Sequence, residues 1–160
     1  MTPCPSCGAP LGGRTGCQAA FDDLSARAWS TPLRGSVHNL VVDAYAMQHT
    51  EDYARSAKSY AAHLTGLCCA IESGGARDLY CAIPRWLDRS VALERPPDLA
   101  ARGALTIADV LTACNDLDHV NATRRWAEAV WAAYAVQHPL AREWVAAARQ
   151  QCSTERRRTR

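Results

Sequence analysis

"DLDHVNATRRWAEAVWAAYAVQ" (residues 116–137) has one periodicity. Trp126, Val130, Ala133 and Gln137 recur at steps of three and four. Ala127, Trp131, Tyr134 and His138 form the adjacent stripe. Such spacing puts apolar residues on one face of an α-helix and suits no strand, where faces alternate every second residue. It predicts a long helix across 116–137. Trp126 and Trp131 are expected in the core, because aromatic side chains supply much of the burial in a small bundle. Pro139 ends the pattern and can open a last helix, 139 to about 151, at its first position.

The same period recurs towards the N-terminus. Ala20, Phe21, Leu24, Ala28 and Trp29 define a helix within 17–30, broken by "STPLRGS". Ser36 can cap a second helix over 37–49, with Val37, Leu40, Val41, Ala44 and Tyr45 inward. A third runs from Glu51 to Ile71, ended by the glycines of "ESGGARD". "LYCAIPRWLDRS" (79–90) reads as a short helix or two turns interrupted by Pro84. "VALERPPDLAARGAL" reads as a loop. Thr106, with Asp109 three residues on, caps a brief helix. No alternating run suits a sheet. The expectation is an all-α fold: a bundle of about five to six helices in one domain over 1–152. A cysteine-bearing knuckle over 1–17 packs on it, and 153–160 is a basic, disordered tail.

The 160 residues include eight cysteines and carry a net charge of +2. No apolar run reaches the roughly 18 residues of a membrane span. The N-terminal "MTPCPSCGAP" lacks the basic and apolar regions of a signal peptide, which points to the cytoplasm. In that reducing compartment cysteines read as thiols or metal ligands before disulfides. The near-balanced charge and the lack of a basic recognition helix disfavour nucleic acid as a partner.

"CPSCGAPLGGRTGC" brings Cys4 and Cys7 into a turn where two thiolates can reach one ion at about 2.3 Å, the zinc–sulfur distance. Soft thiolates select zinc or an iron–sulfur cluster over magnesium or calcium. Cys17, expected at the start of the first helix, is the third candidate, its thiolate favoured by the positive helix end. A redox pair fits less well, because no strand precedes the motif. The fourth ligand must come from elsewhere. His38, near the start of the next helix, is the first choice, followed by His49 and by Asp22 or Asp23. Cys68, Cys69, Cys81, Cys114 and Cys152 lack partner spacing and read as small buried hydrophobes.

His38 and His49 are eleven residues apart, which returns them to one stripe of a helix. His63 sits on the apolar side of its helix and needs a hydrogen bond or a metal there. His138 ends its helix and reads as a cap. Its setting, "AYAVQH", copies the "AYAMQH" that ends in His49, but the flanks differ, and the likeness is read as two apolar helices ending alike. Were the protein an enzyme, His49, His63, His119, Asp43 and Tyr45 are the candidates for a catalytic pocket in the bundle.

"CPSCGA", "GCQAAF", "VHNLVVDAYAMQH", "HLTGLCCAIE" and "RRWAEAVWAAYAVQH" together resemble a family of small, uncharacterised bacterial proteins, a domain of unknown function. The resemblance spans about 1–145. It implies that Cys4, Cys7, Cys17, His38, Asp43, Tyr45, Gln48, His49 and His63 are the residues matching the family's motifs. The chain departs from the pattern in a short loop between Gly8 and Gly16, and in Thr50 where the pattern reads Pro.

Two functions follow as expectations. The first is a module stabilised by one zinc ion at Cys4, Cys7, Cys17 and His38, acting on a protein or small-molecule partner. The alternative is a metal-dependent enzyme acting on a small molecule.

Overall fold

The computed structural model describes residues 1–158, with side chains through Thr154. Among the described residues the chain is all helical, with no strand. Six helices have eleven residues or more: α1 (Gly13–Arg27), α3 (His38–Gln48), α5 (Ala57–Glu72), α6 (Arg77–Leu87), α8 (Asp116–Ala133) and α9 (His138–Arg158). Short helices α2 (Pro32–Gly35), α4 (Thr50–Tyr53) and α7 (Ile107–Leu111) fill the connections, and a 3-10 turn over Ala135–Gln137 joins α8 to α9. No helix among the described residues is long and apolar enough to cross a membrane. Of the tail expected over 153–160, residues 159 and 160 lie outside the described residues, and α9 runs to Arg158.

Capping explains most boundaries. Ser56 and Ser59 close a capping box at the start of α5. That box splits the helix expected from Glu51 to Ile71 into α4 and α5, because Ser56 takes the extended conformation a cap needs. Thr106 and Asp109 form the expected box on α7. Asn115 accepts from the Asp118 amide and starts α8. Thr31 caps α2 within the segment read as a breaker. Ser36 does not cap α3, whose N-cap position is Val37. Pro84 sits inside α6 without ending it. The helix forfeits one backbone hydrogen bond there, but buries Leu79, Ala82, Ile83, Trp86 and Leu87 on one side.

α3 lies at the centre, packed on α5, on α8 and on α1; α9 closes the far side against α5 and α6. Trp126 and Trp131 are buried, as expected. The Trp126 indole N–H donates to Gln48 Oε1 (3.0 Å), and the Tyr134 hydroxyl donates to the Met47 carbonyl (2.6 Å). The Gln48 amide donates to the carbonyls of Arg102 and Leu105 (2.9 and 2.8 Å), which fixes the loop between α6 and α7 on the bundle. Three expectations of burial fail. Trp29 is 76% exposed, because α1 stops at Arg27 and the chain turns before the tryptophan can reach the core. Cys81 and Cys114 are exposed. Cys81 lies on the outer side of α6, and Cys114 falls in the turn between α7 and α8.

Candidate metal centre

The knuckle is built by backbone hydrogen bonds. The Cys4 amide donates to the Ala9 carbonyl and the Gly8 amide to the Cys4 carbonyl, both at 2.8 Å. This closes the Cys-Pro-Ser-Cys-Gly turn, with Gly8 at φ 80°, a conformation that favours glycine. The Gly12 and Gly13 amides donate to the Thr2 carbonyl, so the knuckle itself satisfies the first N–H groups of α1. At Gly16 a methyl group would lie 1.6 Å from the Leu11 carbonyl oxygen, so the knuckle closes on α1 only because residue 16 has no side chain. α1 begins at Gly13, so Cys17 stands in its second turn rather than at its start.

Four donor groups converge. Cys4, Cys7, Cys17 and His49 place their ligand atoms within 4.8 Å of one another. His49 Nε2 is 3.5 Å from Cys4 Sγ and 3.4 Å from Cys17 Sγ; the Cys7 and Cys17 sulfurs are 3.7 Å apart. A tetrahedral ion with metal–sulfur bonds of about 2.3 Å and metal–nitrogen bonds of about 2.0 Å would set these edges near 3.8 and 3.6 Å. The cluster is therefore compatible with a metal ion. Cys4, Cys17 and His49 are buried, and Cys7 is partly so.

The imidazole is oriented from behind. His49 Nδ1 lies 2.8 Å from the Tyr45 carbonyl, which can only accept, so Nδ1 carries the proton and Nε2 faces the sulfurs. The His49 ring stacks on Tyr45 at 3.9 Å between centroids, and Tyr45 stacks on Phe21 of α1 at 4.1 Å. Protonation within the cluster is uneven. The hydrogen bond from Cys17 draws the Cys7 thiol down to about 4, against the effect of burial. The same bond, with burial, pushes Cys17 up. Beside the cluster, Glu51 bonds to Ser6 of the knuckle and to Arg102 (2.6 Å). Burial opposes ionisation of Glu51, but these bonds hold its carboxyl down at about 2.

His38 is not part of the cluster. It sits three helical turns from His49, about 16 Å along the axis, and packs against Trp29 at 5.4 Å. The reason is the hairpin geometry. α1 and α3 are joined by a short connection and run antiparallel, so the start of α1 meets the end of α3 and the start of α3 meets the end of α1. The knuckle precedes α1 and therefore meets His49. Asp22 and Asp23 also lie elsewhere: Asp22 accepts from Gln18 (2.9 Å) and Asp23 pairs with Arg27.

The five residues expected in one pocket are distributed over three places. Tyr45 and His49 belong to the cysteine cluster. Asp43, 200° around the helix from Tyr45, turns towards α5, where its Oδ1 accepts from His63 Nδ1 at 2.9 Å. His119 is buried on α8 near Arg34 and Asp116; burial and the Arg34 charge depress its pKa. Outside these groups, His138 donates from Nε2 to the Trp131 carbonyl (2.8 Å) and stacks on the Trp131 ring, which caps α8.

Fold and cluster together define a small all-helical protein carrying a buried Cys3His donor set that can hold a metal. The chain belongs to a family of unknown function, DUF5946, whose sequence model matches residues 2–135. The match takes in the knuckle, α3 and α8, and ends before α9. No curated protein and no solved structure matches the chain.

Proposed function

We propose that the chain binds one zinc ion through Cys4, Cys7, Cys17 and His49. In this reading the site is structural and clamps the knuckle to the ends of α1 and α3. The carrying observation is that the four donor atoms lie within 4.8 Å of one another, with three of their six edges at 3.4–3.7 Å, near the edge length of one tetrahedral ion. An iron–sulfur cluster would spread its ligands around several irons. All four protein ligands are already in place, which supports a closed site rather than a catalytic one with a water position. Thiolate ligation by three of the eight cysteines suits the reducing bacterial cytoplasm. The protein then serves as a metal-stabilised interaction module for a protein or small-molecule partner, rather than for nucleic acid.

Elemental analysis of purified protein tests this reading. About one equivalent of zinc is expected, lost in Cys4→Ser and His49→Ala and retained in His38→Ala. Zinc retained in a folded His49→Ala protein, or iron in place of zinc, would overturn it.

A further inference from the structure

On the opposite side of α3 from the cysteines lies a cavity of about 250 Å³. Val42, Ala62, Ile83, Pro84 and Leu87 give it an apolar wall. One anionic group reaches it: Asp43, which is only 9% exposed. His63 donates to Oδ1, while Oδ2 has no hydrogen-bond partner among the described residues. Oδ2 rests against Gly66, where a methyl group would come within 2.1 Å of it. The missing side chain at 66 is what lets the carboxylate lie over α5 and open into the cavity. Tyr80 and Asn39 line the same space, and neither side chain is hydrogen-bonded among the described residues.

A largely buried carboxylate that turns one oxygen into an apolar-walled cavity favours a cationic donor there over an uncharged one. Burial pushes the Asp43 carboxyl up, against the opposing pull of its bond to His63. Tyr80 is partly buried; that burial and the nearby Asp43 charge push it up to about 12, and it stays a neutral hydroxyl. His63 is the basic side chain paired with this carboxylate, through Oδ1; the residues lining the cavity on the Oδ2 side are not basic. The volume is below the roughly 300 Å³ at which pockets for drug-sized ligands begin. From this arrangement we infer that the cavity is a binding site for a small protonated amine with a compact apolar group. The ammonium bonds to Asp43 Oδ2, with Tyr80 and Asn39 as further acceptors, and the apolar group lies on Ile83, Pro84 and Leu87. The site shares no residue with the cysteine cluster, so it stands whether or not the cluster holds zinc.

The test is an NMR titration of the full-length protein with isoamylamine, with isoamyl alcohol as the uncharged probe of the same shape. Saturable shifts of the Val42 and Gly66 amides are expected with the amine at millimolar concentration and not with the alcohol. Asp43→Asn should weaken amine binding about tenfold or more, the usual worth of a charged hydrogen bond. Asp43 also holds His63, so that variant can lose its fold. Ala62→Phe, which fills the cavity from its half-exposed edge, is the independent check and should abolish the shifts with helical content unchanged. Equal response to amine and alcohol, no saturable response to the amine, or unaltered binding in a folded Ala62→Phe or Asp43→Asn protein would each overturn the proposal.

Discussion

Stripping the metal should release the knuckle and leave the bundle folded. Ordering a residue costs roughly 1–2 kcal/mol, so holding Thr2 to Gly12 costs about 10–20 kcal/mol, somewhat less for the three prolines. The segment has little of its own to set against that. Cys4 and Ala9 are its only fully buried side chains, with Cys7 and Leu11 packed partly against the core. Their burial contributes about 3–4 kcal/mol. The backbone hydrogen bonds of the turn and of Thr2 contribute about 1 kcal/mol each. The shortfall is of the order of several kcal/mol to 10 kcal/mol, and a structural zinc site supplies roughly 10–16 kcal/mol. The bundle differs: Trp126, Tyr60, Leu64, Leu67 and Tyr134 are wholly buried without help from the cluster. Hydrogen exchange measured with and without a zinc chelator reads the two regions separately. Residues 2–12 should lose their protection by a hundredfold or more while α5 and α8 keep theirs, an effect of about 3 kcal/mol or greater. Unchanged protection of residues 2–12 in metal-free protein would refute the reasoning; the knuckle would then be held by packing and by the Glu51 contacts alone.

Three further outcomes follow from single contacts. Gly16→Ala should destabilise the protein by more than about 2 kcal/mol despite the roughly 1 kcal/mol gained in helix propensity, since its methyl group meets the Leu11 carbonyl; a raised melting temperature would count against the knuckle geometry. Trp126→Phe should cost about 2–4 kcal/mol in urea unfolding, because it removes the donor to Gln48 Oε1 in a fully buried position; a loss under about 1 kcal/mol would mean that water replaces the indole. Asp98 accepts from Thr50 (2.6 Å) and Arg95 (2.7 Å), and these bonds outweigh burial to hold its carboxyl below the usual range. Its stabilisation is thus complete above the unfolded value of about 3.9 and fades as pH falls through the depressed folded value. The stability gap between wild type and Asp98→Asn should narrow on acidification, and a gap that widened would reverse the assignment.

How much of this could be read beforehand depended on whether the information was local. Helical period, the Thr106–Asp109 box and the Cys4–Cys7 turn are encoded within a few residues, and each appears in the structure. The pairing of His49 with the cysteines is not local. Sequence distance favoured His38, but an antiparallel hairpin inverts that order. The eleven-residue spacing that put both histidines on one stripe was itself a clue that only one could reach a single ion. The split between Asp43 and Tyr45 was also legible, since two residues along a helix is more than half a turn. Gly66 was not: its role appears only when Asp43 of another helix is laid over it.

The segment from Asp43 to His49 shows why a short motif can serve several purposes in so small a protein. α3 is enclosed by α1, α5 and α8, so every residue from Asp43 to Thr50 is buried. A helix exposed on one side could spend its polar residues on solvent; this one cannot, and each polar group must find a partner in a different direction. Asp43 meets α5, His49 meets the knuckle, and Gln48 meets Trp126 of α8 and the loop carbonyls beyond it. Substituting one of them strands a buried partner in a different layer, at about 1–3 kcal/mol each. The effects should be separable. In folded variants, Asp43→Asn should leave zinc content unaltered and His49→Ala should leave the amine cavity unaltered, because the two residues point away from each other and share no contact. Coupling between them would have to pass through the backbone of α3, and a double-mutant cycle showing more than about 0.5 kcal/mol would reveal it.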